Sequence, residues 1–257
     1  MRTRARVLAV ACAAACVCAC VSNAPPRLKQ TPKPDTASAV NTQLGIEYLK
    51  RGDLPLAKEK LERAAKENPR DPNVHMALAL LNDRLREPAK ADAEFRTALR
   101  LSPKNPEITN NYAVFLCQSK RYEEGVKRFL ESAGNPLYQT PEAAYTNAGV
   151  CSRAAGRNDE ALQAFTHALQ IRPNFAEAAY QLSDLQFTTG QTKEAGERVD
   201  QFLSYFAATP ELLLLRVRIA RASGDRLALE RFARRLRNDF PDSEQSRQLA
   251  DVLRNPG

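Results

Sequence analysis

Small and bulky apolar residues recur along most of the chain at the i, i+4, i+7 spacing that lines one face of a helix. In "LAKEKLERAAKENPRDPNV" (residues 56–74) they are Ala57, Leu61 and Ala64, closed by Pro69. Displaced by 34 residues, "KADAEFRTALRLSPKNPEI" (90–108) repeats them as Ala91, Phe95 and Ala98, closed by Pro103. They return at Ala161, Phe165, Ala168 and Pro173, and glycines stand 34 apart at Gly156, Gly190 and Gly224. Two antiparallel helices approach closely where one presents a small side chain and a large one fills the space beside it. Proline then stops the second helix, and glycine supplies the turn between helices, where a left-handed backbone costs it nothing.

A 34-residue period carrying A-x-x-x-F and then proline is the tetratricopeptide pattern. It predicts an all-α fold: a right-handed superhelix of about six antiparallel helix pairs with a C-terminal capping helix. Six units fit within residues 38–243, at 38–71, 72–105, 106–139, 142–175, 176–209 and 210–243. Proline opens several first helices, in "DPNV", "NPEI", "TPEA" and "TPEL", where its missing N–H is harmless. The third unit carries Gly125, Phe129 and Ser132 in place of the full triad, and two extra residues, about Thr140 and Pro141, precede the fourth. The fifth and sixth are degenerate, with Ala195, Val199 and Phe202, and with Leu229, Ala233 and Leu236. The tail, 244–257, puts Leu249, Val252 and Leu253 on one helical face and reads as the cap that a stack of repeats requires.

The N-terminus departs from the pattern. "MRTRAR" is basic, "VLAVACAAACVCA" is an apolar run of 13 residues, and "SNAPPRLKQTPKPD" is abruptly polar. That is the layout of an export signal, too short to span a bilayer. The stretch "VCAC", residues 17–20, resembles a bacterial lipobox. The resemblance implies a signal peptide over 1–19 and lipidation of Cys20, with Cys16 the runner-up; residues 20–37 then form a proline-rich tether. In the polyproline conformation that tether reaches on the order of 50 Å. Val21 is not the aspartate that retains many such proteins in the inner membrane, so the outer membrane, periplasmic face, is expected, with contact by lipid anchor alone. Four cysteines between residues 12 and 20 invite a metal reading, but no histidine or carboxylate lies near them, so no metal and no cofactor is expected.

Charge changes the picture little. Of the net +8, three charges are Arg2, Arg4 and Arg6; the remaining 35 Lys+Arg and 30 Asp+Glu form no dense basic run, so no nucleic acid partner is expected. The two histidines, His75 and His167, are 92 residues apart, and no nucleophile elbow, phosphate loop or Cys/His metal spacing exists. The chain reads as a binding scaffold and not an enzyme. In stacked helix pairs the first helices line the concave wall, and the ninth residue of each unit points toward it: Ile46, Leu80, Val114, Val150, Asp184 and Arg218. With Leu49 and Met76, the first four make an apolar stripe, and Arg153, Asp184, Arg218 and Arg221 gather toward the other end. The Asn- and Lys-rich lining of the best-known peptide clamps of this repeat family is absent. The stripe has two readings, packing between helices or a groove for an apolar strand or amphipathic helix of another protein. Cys117 and Cys151, also 34 apart, fall on neighbouring first helices; a disulfide and two buried thiols both remain open.

The run "NNYAVFLCQSKRYEEGVKRFLESAGNPLYQTPEAAYTNAGVC", residues 110–151, resembles the type IV pilus biogenesis and stability lipoproteins, the pilotins of the pilus secretin. "NNYAVFLC", the interrupted junction "NPLYQTPE" and "NAGVC" carry the likeness, and six repeats with an insertion between units three and four agree with it. It implies a lipoprotein, monomeric when free, that binds secretin subunits and promotes their outer-membrane localisation and multimerisation. The first repeat, with Ile46 and Leu49, would make the contact. A lipoprotein adaptor for cell-wall hydrolases is the alternative, and would lack the 110–151 segment. An RNA-binding helical repeat would need basic residues at fixed positions in every unit and no export signal.

Overall fold

The structure, a computed structural model, describes residues 34–254; the expected signal peptide, Cys16, Cys20 and the tether up to residue 33 lie outside the described residues. Among those described are thirteen helices and no strand. They form antiparallel hairpins in chain order: α1 (Pro34–Arg51) with α2 (Leu54–Glu67), α3 (Pro72–Arg84) with α4 (Pro88–Leu101), and α5 (Pro106–Gln118) with α6 (Tyr122–Ala133). Then follow α7 (Pro141–Ala154) with α8 (Asn158–Ile171), α9 (Ala176–Thr188) with α10 (Thr192–Tyr205), α11 (Pro210–Ser223) with α12 (Arg226–Asp239), and finally α13 (Glu244–Arg254). Each first helix packs on its own partner and on the next first helix, which produces the tetratricopeptide superhelix.

Side-chain sizes explain the hairpins. Ala57, Leu61 and Ala64 on α2, Ala91, Phe95 and Ala98 on α4, and Ala161, Phe165 and Ala168 on α8 are all fully buried. The large residue needs a gap opposite it: a Cβ added to Gly149 on α7 would run into the Phe165 ring. Several helix starts are fixed by short polar caps, such as Asp71 Oδ1 accepting from Asn73 N at 2.9 Å and Asn105 Oδ1 from Glu107 N at 3.0 Å. Within each hairpin the turn needs a left-handed residue, and Gly52, Gly156, Gly190 and Gly224 supply it. Units two and three place Arg86 (φ 60°) and Lys120 (φ 61°) there instead, at a cost of about 1 kcal/mol or more each.

The irregular units have local causes. On α6, a Cβ at Gly125 would lie 3.2 Å from Ala113 O and from Cys117 N and 3.3 Å from Cys151 Sγ, so the space that alanine takes in other units is already filled. In the sixth hairpin the large residue is Phe232, one position ahead of Ala233, and the buried Arg216 guanidinium lies 5.1 Å over its ring. Arg216 also donates from Nε and Nη2 to Asp200 at 2.8 and 2.9 Å. At the extra residues before α7, Asn135 Nδ2 donates to Lys104 O at 3.0 Å and Asn135 Oδ1 accepts from Leu137 N at 2.9 Å. That turn buries Tyr138 against Ala133 and Ala144 and leaves Leu137 exposed. On α13, Leu249 is buried with Leu213, Val217, Phe232 and Leu236, and Val252 and Leu253 pack on the same cluster.

One boundary differs from expectation. Helix α1 begins at Pro34, inside the segment assigned to the tether, instead of at residue 38. Proline is harmless in a first turn, and directly after the extension α1 is held to α2: Ser38 Oγ donates to Ala64 O at 3.0 Å and Asn41 Nδ2 to Glu67 Oε2 at 2.9 Å.

Candidate partner-binding groove

The aliphatic residues of the expected stripe divide between packing and surface. Ile46 is partly buried against Ala57, Leu61, Ala77 and Leu81, and Leu80 packs both there and on the Phe95–Tyr112–Phe115 cluster. Met76 joins that second cluster, with its Sδ 3.5 Å from Asn111 Nδ2. Val114 lies partly buried beside Phe129 and Cys151, whereas Val150 is 39% exposed. Leu49 does not belong to the lining: it is 8% exposed and sits inside the first core cluster, because α2 closes over the side of α1 that carries it. An aspartate at Ile46 or Leu80 would therefore be set against apolar cores, so loss of fold would accompany any loss of binding. On α3, burial pushes the Asp83 carboxyl above the usual range, opposed only by Arg84.

The charged positions converge. The buried Asp184 carboxylate on α9 accepts from Arg153 Nη2 of α7 at 2.8 Å and from Arg218 Nη1 of α11 at 3.4 Å, so one carboxylate joins three successive first helices. Arg153 also reaches Thr188 Oγ1 at 3.3 Å, and Arg218 lies 5.6 Å over the Phe187 ring. Beside them, burial and then the Asp184 charge push the Tyr180 hydroxyl above its ordinary value. Arg221 forms no ion pair among the described residues. A cleft of about 260 Å³ lies between α9, α11 and α13, lined by Tyr180, Leu214, Arg218, Gln248 and Val252. Cys117 on α5 and Cys151 on α7 form a disulfide, with Cα atoms 5.8 Å apart.

The histidines are separate. His75 contacts Glu94 Oε2 at 2.6 Å and Pro69 O at 2.9 Å, and His167 stacks on Tyr145 at 5.5 Å. Among the described residues no His, Cys, Asp or Glu side chains gather as metal ligands would, and no helix is long and apolar enough to cross a membrane.

Two residues outside the ninth-position series, Val40 and Leu44, differ from their neighbours in the stack. The third residue of units two to six, Val74, Ile108, Ala144, Ala178 and Leu212, is fully buried, Ala144 and Leu212 against residues of the preceding unit. Its counterpart in unit one, Val40, is 54% exposed, and Leu44, one turn later on the same face, is 41% exposed. Among the described residues α1 meets only α2 and α3, which leaves these two side chains about half open, whereas the other end of the stack has α13. The signal was available in the sequence as two aliphatics in a unit with no unit before it.

Known proteins agree with this architecture. Tetratricopeptide-repeat family models match residues 42–106 and 152–219. The type IV pilus assembly protein PilF of Pseudomonas aeruginosa is 31% identical over 209 residues, covering 81% of this chain and 83% of that protein. Its solved structure superposes with a TM-score of 0.67 at 30% identity, covering 85% of this chain and 98% of that one. The crystal structure of PilW, described as a widely conserved type IV pilus biogenesis factor, gives the same TM-score of 0.67 at 30% identity, covering 84% and 98%.

Proposed function

Because the chain belongs to the tetratricopeptide-repeat family of type IV pilus assembly proteins, we propose that it is an outer-membrane lipoprotein scaffold that binds secretin subunits and promotes their localisation and multimerisation. Acyl chains on Cys20 hold it to the periplasmic face, and the segment up to α1 gives the array its reach. The observation that carries the reading is the likeness to two pilus proteins along nearly their whole solved lengths. The exposed aliphatic side chains on the end face of the first unit support it chemically. Val40 and Leu44 offer aliphatic surface where a partner's strand or helix takes the place of a missing preceding unit. Binding of this kind relies on buried apolar area more than on directional polar contacts, which suits surfaces that meet only during assembly.

Two measurements test the reading. Mass spectrometry of the mature N-terminus is expected to find acyl chains on Cys20, and an unmodified terminus would contradict the anchor. Purification of the chain from detergent-solubilised membranes is expected to bring secretin subunits with it in wild type and to lose them in Val40→Asp/Leu44→Asp. Equal recovery from both would remove the first repeat from the interface.

A further inference from the structure

On the side of the array built by second helices, a cleft of about 300 Å³ opens between the ends of α8 and α10. Leu169, Pro173, Phe202, Tyr205 and Phe206 make its apolar part, and Arg198 its cationic part. The aromatic rings form one group, with Phe202 and Phe206 centroids 5.0 Å apart and Tyr205 and Phe206 6.3 Å apart. Tyr205, 76% exposed, stands at the rim. Arg198 is half-buried and its Nε donates to the Gln186 amide oxygen at 2.9 Å, but no carboxylate lies within ion-pair distance of it among the described residues. Its sheltered counterparts are paired: Arg121 with Asp92 at 2.6 Å, Arg153 with Asp184 at 2.8 Å, and Arg216 with Asp200 at 2.8 Å. Burial alone acts on Arg198 and pushes its pKa down. A half-buried guanidinium whose one protein hydrogen bond goes to a neutral amide keeps its Nη donors available at the cleft, and an arriving carboxylate takes them up in charge-assisted hydrogen bonds.

We infer that this cleft binds an acidic–aromatic segment of another protein, its carboxylate on the free Nη groups of Arg198 and its ring against Pro173, Phe202 and Phe206. The volume fits one ring and one carboxylate, not a folded domain, and the open rim at Tyr205 lets a chain pass. Guanidinium and rings together select for both halves of the ligand, since each is weak alone in water. The site is apart from the first-unit face and does not rest on the identity of the partner bound there.

The test uses the purified, 15N-labelled chain and two peptides, acetyl-Gly-Glu-Phe-Gly-amide and its Gln-for-Glu analogue. Titrations follow the Arg198 Nε–Hε and Phe206 backbone resonances. The Glu peptide is expected to shift both saturably, with the Gln peptide at least about 10-fold weaker, roughly the value of one sheltered charge pair. Arg198→Gln should abolish the difference between the peptides, Arg198→Lys should retain part of it, and Tyr205→Ala should weaken both. If Arg198→Gln fails to fold, the two-peptide comparison on wild type and the Arg198→Lys variant still decide. Equal binding of the two peptides to wild type, or shifts confined to groove residues such as Val150, would overturn the inference.

Discussion

Replacing Val40 and Leu44 together with aspartate separates binding from folding better than any change in the apolar stripe. Full burial of a valine or leucine is worth about 1.5–3 kcal/mol. With 54% and 41% of their surfaces still open, Val40 and Leu44 have roughly half of that left to gain, or about 1 kcal/mol each. A carboxylate forced into the same contact without a partner adds at least about 1 kcal/mol more. The total, about 3 kcal/mol or more, corresponds to a loss of affinity for secretin subunits exceeding roughly 100-fold. The fold should barely register the change, because exposed helix positions usually alter stability by about 0.5 kcal/mol or less. Calorimetric titration with a purified secretin subunit, beside a thermal melt of the same variant, reads both quantities. An unchanged Kd would refute the interface, and a fall in Tm matching the loss of affinity would show that the face is structural.

Other outcomes follow from the packing. Breaking the Cys117–Cys151 bridge by Cys117→Ser should lower stability by about 3–4 kcal/mol, given the 34-residue loop it closes, and thiol titration of the unreduced protein should find neither residue free. Two titratable thiols there would contradict the pairing. Arg86→Gly and Lys120→Gly should each add about 1 kcal/mol, seen as a rise of about 2–4 °C in Tm, and a lower Tm would refute the strain assigned to their left-handed turns. Burial raises the Asp92 carboxyl, but the Tyr112 hydroxyl, the Arg121 hydrogen bond and the Arg96 and Arg121 charges outweigh it and hold the pKa below the usual carboxylate value. The resulting stability is present above about pH 4 and is lost as pH falls through the lowered folded pKa, so Asp92→Asn should flatten the acid limb of a pH–stability profile. An unaltered acid limb would show that this network contributes nothing measurable.

The hairpins were legible because their determinants are local. Ala91, Phe95 and Ala98 lie within two turns of α4, and Ala91 and Phe95 meet Ala79 of α3 in the same unit, so much of the contact pattern is already written in the spacing, although Tyr112 and Phe115 of the next unit complete the cluster. Features that depend on a neighbouring unit were not visible in the same way. Leu49 occupies a position that lines the groove in an idealised stack, yet α2 covers it, and Leu80 serves two clusters at once while Ile46 packs on the first. The N-terminal part of α1 is fastened by Ser38 meeting Ala64 across 26 residues of chain. The turn at Arg86 and Lys120 keeps the left-handed backbone without glycine, so the glycine series in the sequence broke where the structure does not. The partner of Arg198 is a property of three dimensions: that its guanidinium meets the Gln186 amide and, among the described residues, no carboxylate depends on how α9 and α10 are set against each other.

The central claim is that this scaffold assembles the pilus secretin, and the assay closest to it is the state of the secretin in cells lacking the gene for this chain. Membranes of such cells, heated in detergent and separated by size, are expected to show secretin subunits without heat-resistant multimers, with multimers restored by the wild-type gene. Normal heat-resistant multimers in the outer membrane of the deletion strain would contradict the claim.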